Sequence, residues 1–331
     1  MTTSENSYSA GILLVNLGTP DSPSTKDVKH YLREFLWDPR VVEMPRPLWW
    51  LILNGVILNI RPAHSAKAYQ KIWEEEGSPL LVYTLKQAAA LQQILGQDIK
   101  VTPAMRYGNP SIKQGLEQLR DQGCQRILVF PLYPQYSATT TASVFDAVAT
   151  ELKHWRLIPE LRFLNQYFDD SGFVQALAAS VQTFQQQHGQ PDKLIISYHG
   201  LPQRYADAGD PYPCQCEETT KALVNTLNLT DEQWAMSYQS RMGREPWLQP
   251  ATADSLRELA ASGCRHVQVI CPGFSADCLE TLEEIAMENR EVFLAAGGER
   301  YEYIPCLNDA EQHIQALANL AKRQLGGWAN E

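Results

Sequence analysis

The sequence predicts an α/β protein built from two related halves. Three observations support this prediction: short apolar runs alternate with segments of helical period, one part of the sequence is imperfectly repeated further along, and 331 residues suffice for two domains. The composition, 44% hydrophobic and 20% charged, is typical of a globular protein. It excludes a largely disordered chain and a collagen-like one.

Strands are predicted where β-branched and other apolar residues form short uninterrupted runs. Because such a run is apolar on both faces, it is typical of a strand buried inside a parallel sheet. Four runs fit this description, at residues 11–16, 126–130, 193–197 and 266–271.

Helices are predicted between these runs, where apolar residues recur with helical period and several segments end before a glycine. The predicted helices cover residues 84–95, 111–122, 173–187 and 254–262. Strands that alternate with helices in this way indicate the α/β class.

The internal repeat relates Gly-Cys-Gln-Arg-Ile-Leu-Val-Phe-Pro at 123–131 to Gly-Cys-Arg-His-Val-Gln-Val-Ile-Cys-Pro at 263–272. A strand and a turn open each half, with the turns at 18–20 and 200–202. The first half is longer by about 41 residues, and an insertion after the carboxyl end of a strand commonly builds a binding site in α/β proteins. We therefore expect residues 21–77 to be inserted, with the apolar residues 48–60 forming a lip over a cleft.

Charge and cysteine content limit the possible partners and location. The 28 basic and 38 acidic residues give a net charge of −10, which provides no basic surface for nucleic acid. The polar N-terminus lacks the layout of a secretory signal, and the seven cysteines show no C-x-x-C spacing, so we expect reduced thiols and a cytoplasmic location. Residues 48–60 are too short to span a bilayer, so they either lie on a membrane or line a pocket.

His199 is the first candidate for chemistry. It lies in Ser-Tyr-His-Gly-Leu-Pro at 197–202, directly after a predicted buried strand. A structural histidine is the commoner role for this residue type, but the end of a strand before a turn is where α/β proteins bind ligands. A neutral imidazole there is a suitable proton acceptor at neutral pH.

Four carboxylates form the second candidate site. On an α-helix, Asp277, Glu280, Glu284 and Glu288 fall within an arc of about 80°. An acidic stripe is usually a solvated face, but this one begins after a predicted strand, and four aligned carboxylates repel one another unless protons or cations move along them. The pattern favours a relay for protons or metal.

Other motifs are weaker. Cys214 and Cys216 lack a second pair of ligands for zinc, so we expect loop thiols there. The sequence contains no dinucleotide-binding, Walker or nucleophile-elbow motif. Aromatic residues accumulate near the strand ends, which suggests a flat, apolar ligand, although each could also be core. They include Trp49, Trp50, Tyr107, Tyr133, Tyr136, Trp247 and Phe274.

At these residues the sequence resembles the ferrochelatase family over almost its whole length. The most specific match is Leu-Ile-Ile-Ser-Tyr-His-Gly-Leu-Pro at 194–202 followed by Gly-Asp-Pro-Tyr at 209–212. Further matching segments lie at residues 16–20, 77–79, 133–137, 239–243, 246–248, 274–277 and 280–282.

The resemblance implies an enzyme that inserts Fe(II) into protoporphyrin IX to form protoheme, the last step of heme biosynthesis, with release of two protons. It also implies two Rossmann-like domains, each with a parallel sheet of four strands, and the porphyrin in the cleft between them. We expect the first domain at residues 1–168, the second at 169–308, and a C-terminal helix at 309–331 that returns to the first.

The resemblance also assigns roles to individual residues. It implies that His199 and Glu280 are catalytic and handle the iron, and that Glu284 and Glu288 continue the acidic path, to which we add Asp277. By the same resemblance Leu17, Arg106, Tyr107 and Trp247 lie by the porphyrin, and the aromatic pattern adds Tyr136 and Phe274. A neutral imidazole and a carboxylate suit the removal of pyrrole protons and the stripping of hydrated iron.

The chain departs from some members of this family. Where these carry a [2Fe–2S] cluster on one cysteine in a Tyr-Ser-Cys segment and three near the C-terminus, this sequence has Ala138 and no cysteine after Cys306. We therefore expect no cluster and no permanently bound cofactor, with Fe(II) as substrate. Cys278 occupies a position that is His in some relatives, and its role stays open.

Several alternatives remain open from the sequence. The chain could be a related chelatase that acts on another tetrapyrrole, or a carrier of tetrapyrrole or metal without catalysis. We expect a monomer with peripheral membrane contact through residues 48–60. The sequence leaves open which side takes the protons and which delivers iron, and whether protoporphyrin or coproporphyrin is preferred.

Overall fold

The computed structural model describes residues 9–241, 243 and 245–328, and these form two parallel sheets with helices around them. The described strands are β1 (Ser9–Thr19), β2 (Ile99–Gly108), β3 (Cys124–Pro131), β4 (Glu160–Phe163), β5 (Lys193–His199), β6 (Trp234–Gln239), β7 (His266–Ile270) and β8 (Arg300–Tyr303).

The helices connect these strands. They are α1 (Thr25–Trp37), α2 (Arg46–Ile52), α3 (Leu58–Ile72), α4 (Pro79–Leu95), α5 (Ile112–Asp121), α6 (Ser143–Leu152), α7 (Ser171–His188), α8 (Gln203–Asp207), α9 (Tyr212–Leu227), α10 (Thr252–Ala261), α11 (Asn289–Ala295) and α12 (Glu311–Leu325). Three segments are π-helical, Leu53–Ile57, Ala138–Ala142 and Glu280–Glu288, and Asp231–Gln233 is a 3₁₀ turn.

Both sheets have the same strand order. The first is β2-β1-β3-β4 and the second is β6-β5-β7-β8, with every pair parallel. This common topology confirms the predicted α/β fold with two four-stranded parallel sheets, and it fits the internal repeat.

The four predicted strands are β1, β3, β5 and β7, which are the two central strands of each sheet. Central strands are covered on both faces, so their sequences are continuously apolar. The sequence did not predict the edge strands, which are β2, β4, β6 and β8, because they mix polar with apolar residues.

One continuous core joins the two halves. It contains Leu14 and Phe130 of the first sheet together with Ile196 and Tyr198 of the second. Helix α12 contributes Leu317 to the same core and packs against α4, α7 and β3. The boundary predicted between residues 168 and 169 falls in the connection between β4 and α7 and stays a prediction, and residues 329–331 of the predicted C-terminal helix lie outside the described residues.

The predicted insertion, residues 21–77, folds into α1, α2, α3 and one π-helical segment. Its apolar part, which we call the lip (residues 48–60), has two faces. Trp49, Leu53 and Leu58 are buried, and the indole nitrogen of Trp49 donates to the carbonyl of Leu36 over 2.7 Å. The other face exposes Leu48, Trp50, Leu51, Val56 and Ile60.

Candidate active site

His199 is the last residue of β5, so it lies at the carboxyl edge of the second sheet and is half-buried. Its Nδ1 is 2.7 Å from the carbonyl oxygen of Gly200. A carbonyl oxygen can only accept, so Nδ1 carries the hydrogen in this contact. The neutral imidazole therefore presents Nε2 as a proton acceptor.

Gly200 allows the chain to turn closely past the neighbouring strand. Its N–H donates to the carbonyl of Gln239 over 2.8 Å. A Cβ at this position would lie 2.7 Å from that oxygen and 3.3 Å from the indole ring of Trp247. The turn after His199 thus requires glycine, and Trp247 packs over the same turn.

The acidic stripe lies on a π-helix, Glu280–Glu288, rather than on the predicted α-helix. The N–H of Asn289 donates to the carbonyl of Glu284, which is the i→i+5 pattern of a π-helix. This longer turn changes the angular positions predicted for the carboxylates. The apolar side chains of this segment pack in two directions: Leu279 and Leu282 pack on the hydrophobic cluster that contains the buried lip residues, while Ile285 packs on the second sheet. Because π-helices are rare and concentrate at functional sites, this geometry itself marks the segment.

Gln239 connects His199 to the π-helix. It ends β6 and is the register partner of His199 in the sheet. Its side-chain amide donates to the carbonyl of Glu280 over 2.7 Å, and the hydroxyl of Ser197 donates to its Oε1 over 3.0 Å. The position of Glu280 relative to His199 is therefore fixed by a buried amide.

Glu284 lies close to both catalytic candidates. The N–H of Ser240 donates to Glu284 Oε1 over 2.6 Å, and the Ser240 hydroxyl donates to Oε2. Burial raises the pKa of Glu284, and Glu280 adds to that shift. The Ser240 hydrogen bonds oppose it, as does His199 when its imidazole is protonated. Glu288 lies four residues further along and is exposed. Its carboxyl group is nevertheless partly desolvated, and this desolvation and the charge of Glu283 raise its pKa.

Asp277 is separate from this line. It is buried before the π-helix begins and accepts hydrogen bonds from the side chains of Thr281 (3.0 Å), Tyr303 (2.5 Å) and Asn308 (2.7 Å). These three donors, from the π-helix and from two more distant positions, hold the carboxylate in place. We propose that Asp277 fixes the start of the π-helix, in place of the relay role expected from the sequence.

The buried residues of the lip form one hydrophobic cluster with residues of α1 and α3, and this cluster packs against the π-helix. Tyr31 and Tyr69 are buried there, and burial raises the pKa of each phenol, with a further contribution from the Glu280 carboxylate. Glu280 therefore faces the aromatic side chains of the insertion.

Leu17 and Phe274 meet at the junction of the two halves. Both pack against Cys278 and Leu80 in one small apolar cluster. The ring of Phe274 lies 6.4 Å from the imidazole of His199, measured between centroids. Burial, and then the Glu280 carboxylate, raises the pKa of the Cys278 thiol.

Arg106 and Tyr107 are engaged with Asp38. The Arg106 guanidinium is 2.5 Å from the Asp38 carboxylate, and the Tyr107 hydroxyl donates to it over 2.8 Å. Ser143 donates to the same oxygen over 2.6 Å. Tyr107 is 0% exposed, and its predicted contact with a ligand stays a prediction.

Tyr136 lies where the halves meet but apart from His199. Its N–H donates to Gln215 over 2.7 Å, and Ser137 and Ala138 next to it donate to Asp210. The structure therefore brings His199 together with Trp247 and Phe274, and it packs Leu17 and Tyr107 in one cluster beside the π-helix. Arg106 and Tyr136 are held by their contacts with Asp38 and Gln215.

Sequence reasoning missed the residues that position this site. Asp38, Ser240 and Asn308 gave no signal, because each acts through a contact with a distant part of the chain. Gln239 did carry a signal, since it begins one of the segments that match the family. Within the described residues, no group of three or more His, Cys, Asp or Glu side chains is arranged to hold a metal ion.

The fold is similar to that of chelatases. Two solved structures share the fold across nearly their whole length. SirB from Bacillus subtilis with Fe³⁺ has a TM-score of 0.57 and 11% identity, covering 96% of this chain and 97% of its own. CbiX, described as the terminal enzyme of siroheme biosynthesis in denitrifying bacteria, has a TM-score of 0.50 and 14% identity, covering 95% and 98%.

The chain belongs to the ferrochelatase family. The family profile, described as Ferrochelatase, matches residues 9–325. The ferrochelatase of Teredinibacter turnerae is 54% identical over 323 residues, which cover 96% of this chain and 88% of the relative. That of Marinobacter nauticus is 52% identical over 322 residues, covering 96% and 87%. The predicted family and enzyme class are confirmed.

Proposed function

We propose that the chain inserts Fe(II) into protoporphyrin IX to form protoheme and releases two protons. The observation that carries this proposal is the pairing of a neutral His199, with Nε2 free to accept, and a π-helical line of carboxylates that begins at Glu280. Metallation needs both functions, because two pyrrole protons leave as the hydrated iron loses its water ligands.

His199 and Glu280 act on the porphyrin nitrogens and on iron in this proposal. Iron is the substrate, so the two side chains hold it transiently and pass it on. Gln239 keeps Glu280 opposite His199, and the contact with Gly200 keeps Nε2 pointing away from the backbone. Glu284 and the exposed Glu288 extend the line to the surface, as a path for protons or metal.

The macrocycle is held by apolar contacts around this centre. Leu17 and Phe274 supply one wall, and Trp247 supplies another over Gly200. Binding against these walls strains the flat ring and exposes its nitrogens. Arg106 and Tyr136 reach the rim of the site, while Tyr107 supports Arg106 from below.

The exposed face of the lip gives the proposed membrane contact. Trp50 is 54% exposed and Leu51 is 61% exposed, beside the cleft that takes an apolar substrate. Exposed apolar side chains of this kind bind the membrane interface. Across the described residues, no helix has the length and hydropathy to cross a bilayer. We propose a monomer that works in the cytoplasm at the membrane surface.

We propose that catalysis needs no iron–sulfur cluster. A cluster takes four ligands, usually cysteines, and the position of one of them is Ala138, whose N–H instead bonds to Asp210 over 2.8 Å. In the described part of the chain, which includes all seven cysteines, none forms a disulfide, and five are buried.

An anaerobic absorbance assay with protoporphyrin and Fe(II) or Zn(II) tests the function. Turnover to the metalloporphyrin is expected, and Glu280→Gln should slow it far more than Glu288→Gln, because water can replace a distant relay group. A carrier would bind porphyrin with no turnover in any variant, and that result would refute the proposal. Parallel assays with coproporphyrin and sirohydrochlorin identify the preferred tetrapyrrole.

A further inference from the structure

A second groove, of about 600 Å³, lies at the edge of the first sheet opposite the catalytic cleft. Two turns form it: one leads into β3 at residues 123–126, and the other leads into β4 at residues 154–160. Both are at the amino ends of parallel strands, whereas His199 and the lip follow carboxyl ends. The groove therefore belongs to a different surface from the site described above.

Its apolar wall protrudes into solvent. Leu157 is 71% exposed and Ile158 is 58% exposed, and Trp155 lies beside them. Trp155 is held in place, because its indole nitrogen donates to Glu151 over 2.9 Å and the Arg120 guanidinium lies 4.9 Å from the ring centroid. Adjacent exposed aliphatic side chains next to a fixed indole are typical of a contact surface.

The groove is basic, although the chain carries a net charge of −10. Arg120, Arg126, Arg156 and His154 line it, against one lining carboxylate, Glu160. Arg120 also lies 3.1 Å from Asp121, which is next to it in the chain. Glu160 is already engaged, since it lies 3.4 Å from Arg126 and accepts from the indole of Trp328 over 2.9 Å. Among the described residues, the exposed side chain of Arg156 has no acidic partner.

The internal repeat supplies a comparison within the same chain. Register pairs Arg126 with Glu160 in the first sheet and His266 with Arg300 in the second, so residues 153–159 correspond to the shorter loop 296–299. Leu157 and Ile158 thereby correspond to Gly297 and Gly298.

In the second half the corresponding groove is closed by one side chain. Arg265 donates to the carbonyl of Gly297 and lies 3.7 Å from Glu299. The repeat puts Gln125 at the position of Arg265, and Gln125 is exposed at the floor of an open groove. The first half is thus longer and more apolar at this edge than the second half.

We propose that this groove docks an acidic segment of a partner protein, with an apolar side chain seated between Trp155 and the Leu157–Ile158 pair. The charge of the groove selects carboxylates, and its apolar wall selects an aliphatic or aromatic side chain. A second copy of this chain would bring like charges together across the contact. A membrane is disfavoured because the lip, at the opposite edge of the sheet, occupies that surface.

Peptide selection with the full-length protein tests the proposal and does not require the partner to be identified first. Random 12-residue peptides displayed on phage are selected against the protein and counter-selected against a Leu157→Ser, Ile158→Ser, Arg156→Glu variant. Enriched peptides are resynthesised with fluorescein, and their affinity is measured by fluorescence anisotropy. The matched control is Leu85→Ser with Ile94→Ser, two exposed apolar residues of α4.

The expected peptides combine Asp or Glu with an apolar residue and bind at least tenfold more weakly to the groove variant, with the control unchanged and raised salt weakening binding. Iron insertion should be unaffected in all these variants. Selection of no such peptides, or equal loss in the control, overturns the proposal. So does binding to phosphatidylglycerol vesicles that depends on Leu157 and Ile158, since that result assigns the surface to a membrane.

Discussion

The imidazole of His199 is fixed by the residue that follows it, because its Nδ1 donates to the carbonyl of Gly200 over 2.7 Å. This single contact determines the tautomer, and it depends on a turn that only glycine can make. The proposed proton acceptor is therefore set by backbone geometry rather than by a second side chain.

Replacing His199 by Ala should abolish metallation and leave porphyrin binding intact. Loss of a general base typically costs about 10²–10⁴ in rate, whereas the apolar walls do not involve the imidazole. The rate is followed by absorbance, and binding is followed by quenching of tryptophan fluorescence. Near-normal iron insertion by a folded His199→Ala protein would exclude this residue as the base.

Gly200→Ala should lower kcat although every proposed catalytic side chain is still present. The added Cβ would meet the carbonyl oxygen of Gln239 at 2.7 Å, so the backbone after His199 must move. Steady-state kinetics and circular dichroism should report a fall in kcat of at least tenfold in a folded protein. Gly209→Ala serves as a control, since a Cβ there meets no atom within 4 Å, although its positive φ adds local strain. Unchanged kcat in Gly200→Ala would show that the close turn is dispensable.

Asp277→Asn distinguishes positioning from relay. The amide of Asn would direct its N–H groups at side chains that are themselves hydrogen-bond donors. These buried groups would lose their partners, and this loss should lower the free energy of unfolding by about 1–3 kcal/mol. Urea denaturation measures this loss, and Glu288→Gln, on the exposed end of the stripe, is the comparison. If Asp277→Asn slows turnover with no loss of stability, Asp277 belongs to the relay after all.

Glu302 should make the stability of the second half depend on acid pH. Hydrogen bonds from Gln268, His266, Arg300 and His188 outweigh desolvation by burial and lower the pKa of Glu302 to about 2. An unfolded Glu titrates near pH 4.3, so the charged carboxylate stabilises fully above that value, and its contribution is lost as pH falls from about 5 towards 2.

Urea denaturation across this pH range checks the sign. The unfolding free energy of the wild type should exceed that of Glu302→Gln by a constant amount at neutral pH, and the difference should shrink below about pH 5. Glu299→Gln, at an exposed position in the loop just before β8, should show a much smaller difference. A gap between wild type and Glu302→Gln that widens with acid would contradict the assignment.

Polar replacement of the exposed lip face should weaken membrane binding without unfolding the protein. Trp50→Ser with Leu51→Ser removes two exposed side chains, so binding to phospholipid vesicles should fall and the porphyrin KM should rise. Cosedimentation and steady-state kinetics measure the two effects. Leu85→Ser with Ile94→Ser is again the control, and equal vesicle binding by both variants would exclude the lip as the contact.

Trp49 and Leu53 show why the lip could be located but not resolved from the sequence. The spacing of the internal repeat predicted the insertion, and the apolar run at residues 48–60 predicted a lip within it. Neighbouring residues of that run nevertheless differ completely in exposure, and a π-helical turn at Leu53–Ile57 breaks the period that would have separated the two faces. Local pattern reveals that a segment is apolar, whereas the side chain that turns inward is decided by tertiary packing.

The same limit applies to the site. His199 and Glu280 could be singled out because each lies at or after the end of a central strand, and a central strand can be recognised from its continuously apolar sequence. Asp277 illustrates what spacing does not show: it matched the stripe, but its hydrogen bonds come from Tyr303 and Asn308, more than 25 residues away. The π-helix could not be expected either, since an α-helical period was assumed for the carboxylates.

The unbroken core shared by the two sheets and α12 has a mechanical consequence. Two domains that grip a ligand by swinging about a hinge need an interface that can slide or open, and here that interface is the interior of the protein. The cleft therefore keeps a fixed shape and does not close by movement of the two domains. In the proposed function, the macrocycle must therefore conform to walls that hold their shape.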